Sequence, residues 1–265
     1  MQEFRKSSSG APAGFFEIEA AGLRWLAQAQ TAGGVRIARV LGVGPGWITL
    51  ERLDSARATP DLAHQLGREL VCLHRAGADG FGAGPPGFEA GGPAGHGFIG
   101  HAPLPLVAAE DGPGRWGDFY GEHRVLPYVR AARDRGQFGA GQVQLFERVV
   151  ARLADPADEL AGPDEPVSRI HGDLWSGNVL WTPSGPALID PAAHGGHRET
   201  DLAMFALFGL QYLDAVLAAY DEADPLADGW RERVALHQLH PLLVHVVLFG
   251  GGYAAQAVSA ARRYA

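Results

Sequence analysis

The chain has 265 residues, a mass of 28.1 kDa, a net charge of −8 and a pI near 5.7. Hydrophobic residues make up 46% and charged residues 20%, which excludes a disordered chain and gives enough apolar surface for a sizeable core. The acidic balance leaves no overall field to hold a polyanion, so nucleic acid is not an expected partner.

The segment Met1–Lys6 has no apolar signal region, and no run of about 18 apolar residues follows, so no membrane span is expected. Phe15–Gln30 has the spacing of an amphipathic helix, with Phe15, Ile18, Leu23 and Leu26 near one face and Glu17 and Glu19 in its first half. Val35–Val43 and Trp47–Leu53 read as two strands around the turn Gly44-Pro45-Gly46. Pro60–Arg75 reads as a second helix, with Thr59 as N-cap and Gly77 just past its end. Cys72, the one cysteine, lies in its periodic run and is expected as a small buried hydrophobe. A single cysteine excludes an intramolecular disulfide and fits a reducing, cytoplasmic compartment. Gly77–Gly114 is dense in Gly and Pro and reads as a long functional or mobile loop with short ordered pieces. Asp118–Arg135 and Gly141–Leu153 read as helices, and residues 170–190 as loop, strand, turn, strand. From Thr200 the pattern is helical almost to the end, interrupted at Gly250-Gly251-Gly252. This order predicts a small β-containing part and a large helical part, with a boundary near Asp54–Pro60 and a ligand cleft at the hinge.

The chemistry concentrates in His171-Gly172-Asp173-Leu174-Trp175-Ser176-Gly177-Asn178 and in Asp190. Four residues separate Asp173 from Asn178, the spacing of a kinase catalytic loop. Val179–Trp181 and Pro186–Ile189 flank the turn Thr182-Pro183-Ser184-Gly185, and such a hairpin would set Asn178 and Asp190 side by side at its open end. Mg²⁺ takes hard oxygen ligands, which suits Asn178 and Asp190. A separate carboxylate must accept the proton of the attacking hydroxyl, which suits Asp173. Taken singly, Asp173 could be a turn residue, Asn178 a cap and Asp190 a strand terminator; their combination is what points to phosphoryl transfer. The 11 histidines show no zinc-ligand order, and core, capping or substrate-contact roles are expected for them.

These residues, with Asp190-Pro191-Ala192 and Gly196-His197-Arg198-Glu199-Thr200-Asp201-Leu202-Ala203, closely resemble the fructosamine-3-kinase (ketosamine kinase) family, within the aminoglycoside-kinase-like branch of the protein-kinase-like fold. Trp116–Arg124 with Pro127, and His237–His245 with Phe249–Tyr253, resemble its mid-chain helix and C-terminal signature, so the likeness covers nearly the whole chain. It implies an α+β two-lobe fold, with residues 1–54 a partial N-lobe and 55–265 a helical C-lobe. It also implies ATP and Mg²⁺ as cofactors, and a substrate that is a small ketosamine or a glycated protein lysine. Lys6 resembles the lysine that holds the ATP phosphates and Glu19 its helix partner; the backbone of Glu51 and Leu53 would meet the adenine edge. Trp175 and His197 are implied as substrate contacts, His171 and Asp201 as supports of the catalytic loop. The family's glycine-rich loop would precede the Lys6 strand, where this sequence begins, so the expected N-lobe is truncated. Leu104 and Leu106 stand where family members carry polar residues, and His194-Gly195 where they carry an aromatic pair that would line the sugar pocket. Two alternatives fit the same residues: a kinase of another alcohol, such as an aminoglycoside or amino alcohol, and an inactive binding module.

Overall fold

The computed structural model describes residues 2–265. Strand β1 (Glu3–Ser7) is followed by α1 (Phe15–Ala27), β2 (Arg36–Ile37), β3 (Val40–Gly44) and β4 (Trp47–Glu51). β4 lies between β1 and β3 and is antiparallel to both, with Glu3 opposite Glu51 and Ser7 opposite Trp47. α1 buries Phe16, Ala20, Leu23 and Leu26, the stripe that its helical period sets on one side. Beyond Ala27 the helix tightens into a 3₁₀ turn, Gln28–Ala32, which Gly33 ends in a left-handed conformation. The expected strand Val35–Val43 is two strands rather than one. β2 leaves the N-terminal sheet and pairs in parallel with the later strand β9 (Gly185–Leu188), Arg36 opposite Ala187 and Ile37 opposite Leu188.

α2 (Pro60–Arg75) spans the predicted range, and Thr59 Oγ1 accepts the Leu62 N–H at 3.3 Å. It packs on the later helix α7 (Leu213–Ala223), so closely at Gly67 that a Cβ there would lie 2.3 Å from the Val216 carbonyl oxygen. Cys72 is half-buried rather than a core residue. The Gly- and Pro-rich stretch that follows contains a hairpin, β5 (Gly97–Ile99) and β6 (Ala102–Leu104). Next come α3 (Trp116–Phe119), a π-helical segment (Tyr120–Val125) and α4 (Leu126–Asp134). The ladder changes register just before Pro127, which has no N–H to donate.

The remaining elements are α5 (Ala140–Ala154), β7 (Ser168–Ile170), β8 (Val179–Thr182), β9 (Gly185–Leu188), β10 (His194–Gly196), α6 (Arg198–Phe208), α7 (Leu213–Ala223), α8 (Trp230–His237), α9 (Leu239–Phe249) and α10 (Gly252–Ala261). β8 and β9 form the predicted hairpin, with Thr182 opposite Gly185. β10 returns antiparallel to β7. One core gathers α1, β4, α2, the β8–β9 hairpin, α6 and α7; a second gathers α3–α5 and α8–α10 around Phe119, Tyr120, Phe146 and Leu243. The elements on either side of Asp54 therefore share a core, because β2 pairs with β9 and apolar residues of α1 join those of α2 and β9 in one cluster. No helix among the described residues is long and apolar enough to cross a membrane.

Candidate active site

The loop between β7 and β8 is held from beneath by a buried carboxylate. Asp201, one turn into α6, accepts the N–H of His171 at 2.7 Å and of Gly172 at 2.9 Å. His74 of α2 lies 3.2 Å from the same carboxylate through Nε2, and its Nδ1 is 2.8 Å from the Tyr220 hydroxyl of α7. Burial alone would push Asp201 up; the bond to His74 and the backbone N–H bonds outweigh it and hold the group below its ordinary value. His171 is buried, which pulls its pKa down and keeps the ring neutral. A carbonyl can only accept, so His171 Nε2–H donates to Ile189 O at 2.9 Å, leaving Nδ1 to accept the Asp173 N–H at 3.3 Å. Gly172 is the residue this turn requires. Its φ is +79°, and a Cβ would meet the Ala192 carbonyl oxygen at 2.2 Å.

On this support stands Asp173, half-buried at the mouth of a cavity of about 400 Å³ that Lys6, Glu19, Trp175, Asn178 and Asp190 also line. Burial pushes the Asp173 carboxyl up to about 7, against the opposing hydrogen bond from Asn178 and with help from the charges of Asp190 and Asp201. Asn178 Nδ2 donates to the Asp173 carbonyl at 2.8 Å and to its Oδ2 at 3.1 Å, which binds the two ends of the loop together. Asp190, just beyond β9, has a φ of +54°, a strained conformation for a residue with a Cβ. Its side chain is 42% exposed, and Lys6 Nζ donates to its Oδ1 at 2.7 Å. The same ammonium donates to Glu19 Oε1 at 2.6 Å, so one cation bridges β1, α1 and the end of the β8–β9 hairpin. Burial lowers the Lys6 pKa, yet the two carboxylates outweigh it and the group is raised overall. Glu19 is raised as well, burial exceeding the effect of Lys6.

Residues 184 positions apart thus meet in a single ion-pair cluster. The chemistry it offers is a cation held between carboxylates, an exposed carboxylate beside a buried amide that could hold a hard metal ion, and a carboxylate poised near neutrality.

The family model for fructosamine kinase matches residues 2–264. The chain belongs to the fructosamine kinase family. Its relatives include a probable ketoamine kinase of Synechocystis sp., 34% identical over 248 residues that cover 91% of this chain and 76% of that protein. The chloroplastic protein-ribulosamine 3-kinase of Arabidopsis thaliana is 31% identical over 263 residues, covering 97% and 74%. Among solved structures, a candidate fructosamine-3-kinase from Thermobifida fusca superposes with a TM-score of 0.87 at 46% identity, over 99% of this chain and 85% of that one. The α+β arrangement is therefore the two-lobe kinase fold, and the protein is an ATP-dependent phosphotransferase of the fructosamine kinase family.

Three expectations drawn from that family resemblance do not reach the cavity. His197 is 4% exposed; its Nδ1 accepts the N–H of Glu199 as the N-cap of α6, and its ring packs on Trp116 and His237. It is a buried capping residue that does not line this cavity, and burial takes its pKa down to about 3. Glu51 donates its N–H to the Arg39 carbonyl and receives Arg36 and the Arg39 N–H on its carboxylate, and it does not line this cavity. Leu53, half-buried beyond β4, is likewise not brought to this cavity. His194 and Gly195 belong to β10, His194 buried with Nδ1–H on the Ala192 carbonyl, and neither lines this cavity. Ser7, Ser8 and the β5–β6 hairpin do line the cavity, through Gly97, Phe98 and Leu104 among others. The hydroxyl pair directly after Lys6 was a readable signal for the first two; the hairpin was hidden by the Gly and Pro around it.

Proposed function

We propose that this protein transfers the γ-phosphoryl group of ATP to the sugar 3-hydroxyl of a ketosamine, a fructosamine or ribulosamine adduct of an amine or of a protein lysine. The observation that carries the reading is the Lys6–Glu19–Asp190 cluster beside Asp173 in one cavity, on a chain whose relatives are named for ketoamines and ribulosamines. Residues 1–54 act as the nucleotide-side lobe and 55–265 as the lobe that holds the acceptor.

Lys6, steadied by Glu19, donates to phosphate oxygens. Asp173 accepts the proton of the attacking sugar hydroxyl at a carboxylate oxygen as the new P–O bond forms and the bond to ADP breaks. A pKa near 7 makes Asp173 a stronger base than an ordinary aspartate while leaving it largely ionised just above neutrality. His171 and Asp201 position the loop and touch no reactant. The donor set fits Mg²⁺. Asn178 turns its Nδ2 back onto the loop, which leaves the amide oxygen for a hard cation, and Asp190 exposes its carboxylate to the cavity. When bound, the ion neutralises phosphate charge. Trp175, 39% exposed beside Asp173, offers the sugar a flat face. The 3-phosphorylated adduct would then break down and release the amine, a deglycation step.

Incubation with Mg·ATP and the ketosamine of fructose with methylamine should give stoichiometric ADP and a sugar 3-phosphate by ³¹P NMR. Phosphorylation of an aminoglycoside or amino alcohol with no turnover of the ketosamine would overturn the reading.

A further inference from the structure

A second cavity, of about 310 Å³, also has Asp173 in its wall. It shares Asp173, Trp175 and Gly100 with the first, so the two meet at the proposed base. Its chemistry differs sharply. Asp173 is the one carboxylate among its described lining residues, and none of them is Lys or Arg. The rest is an aromatic and aliphatic wall from α6, α9 and α10. Trp175 meets Phe208 edge-on at 6.2 Å, Phe208 lies 4.9 Å from His245, and His245 lies 4.9 Å from Tyr253 and 5.4 Å from Phe249. His245 is no exception to the apolar character. Burial lowers its pKa, and its Nδ1–H donates to the Pro241 carbonyl at 2.7 Å, so the ring is neutral at physiological pH. Phe249 is 68% exposed, an apolar surface left in water at the rim.

We infer that this cavity receives the uncharged alkyl or aryl stem that follows the ketosamine nitrogen, and so sets the enzyme's preference among amines. The inference rests on the ketosamine reading above. Continuity with the first cavity identifies the occupant: an acceptor whose sugar hydroxyl faces Asp173 must send its remaining substituent somewhere, and this wall adjoins that carboxylate. An apolar stem would cover Trp175 and Phe249 and release the water on them. A carboxylate close to the nitrogen, as in an amino-acid adduct, would shed its hydration against a wall with no cation to receive it. The side chain of a glycated lysine, four methylenes before its backbone, is a stem of the favoured kind.

The test is a series of fructose ketosamines made from methylamine, propylamine, pentylamine and glycine. The kcat/KM should rise from methyl to pentyl by up to about fourfold for each methylene buried, and the glycine adduct should fall below the methyl one. Phe249→Ala and Tyr253→Ala should each flatten the rise while leaving kcat/KM for the methylamine adduct within about twofold, and Phe249→Leu should restore part of it. The methylamine adduct thereby reports whether each variant is folded. Equal kcat/KM for the methyl and pentyl adducts, or a preference for the glycine adduct, would overturn this inference while leaving the ketosamine reading intact. Loss of turnover with every ketosamine would overturn both.

Discussion

Two regions of this molecule gather acids, bases and histidines at close range, and they do opposite things. Around Lys6, one ammonium serves two carboxylates, a third carboxylate stands beside them with a raised pKa, and the group opens onto a cavity. Around Glu199, the balance is closed. Arg233 donates from Nε at 3.0 Å and from Nη2 at 2.6 Å to the two carboxylate oxygens, and burial is outweighed so that Glu199 sits well below its ordinary range. His197, Glu199 and His237 bring potential ligand atoms within 4.8 Å of one another, the pattern of a metal site. The guanidinium already occupies the oxygens, the His197 Nδ1 accepts a backbone N–H, and Trp116 stacks on His237 at 4.3 Å. Proximity of titratable groups is thus shared by both clusters. What distinguishes the candidate site is an excess of one charge, access from solvent and a strained residue, Asp190, at its centre.

The strongest way to break the comparison is at Asp173. Asp173→Asn should cut kcat by about 10²–10⁴-fold with Mg·ATP affinity little changed, because the residue faces the hydroxyl and not the nucleotide. The same substitution should not destabilise the protein. A carboxyl raised to about 7 favours its neutral form in the fold, so folding stability falls as pH rises from about 4 towards 7. Thermal melts at pH 8 should therefore show the Asn variant as stable as the parent or more so, and the advantage should vanish at pH 4. A destabilised variant at pH 8 would mean that Asp173 is structural.

Glu199→Ala should behave the other way round. It leaves Arg233 buried without its partner, which costs about 3–5 kcal/mol, read as a lower denaturant midpoint, while kcat per folded molecule stays near that of the parent. The Glu199 carboxyl is depressed in the fold, so its contribution is present above the ordinary glutamate pKa and is lost as pH falls below it. If Glu199→Ala abolished turnover in protein shown to be folded, the division between the two clusters would fail.

Lys6→Met tests the shared cation. Losing charge-assisted bonds worth about 1.5–3 kcal/mol each should raise KM for ATP by about tenfold to a hundredfold. Unchanged KM would place the nucleotide elsewhere. The gentlest test is the pH profile: kcat/KM should climb about tenfold per pH unit below neutrality and level off above a midpoint near 7, the Asp173 value. A flat profile between pH 5 and 8 would argue against a base of that pKa.

Much of the fold was legible along the chain. The α2 limits follow from Thr59, Pro60 and the apolar period, because an N-cap and a missing N–H are local facts. The β8–β9 hairpin follows from its turn residues. The splitting of Val35–Val43 was not legible, since the partner of β2 lies about 150 residues later. The hairpin β5–β6 was not either; three-residue strands carry too little alternation to stand out among glycines.

The same division holds for the site. Asp173, Asn178 and Asp190 could be named from spacing, because a loop and a tight hairpin fix how far apart their ends can be. Lys6 and Glu19 could be named only through family resemblance, and their meeting with Asp190 depends on a sheet and a helix packing across the whole length of the chain. His197 shows the limit from the other side. Family resemblance implied it as a substrate contact, while in the structure its Nδ1 caps α6 and its ring lies inward on Trp116. Local bonding rules act over a few residues and can be read from letters. Which face of a helix or loop meets solvent is settled by the burial of apolar surface brought together from distant segments, and that information lies in the assembled core.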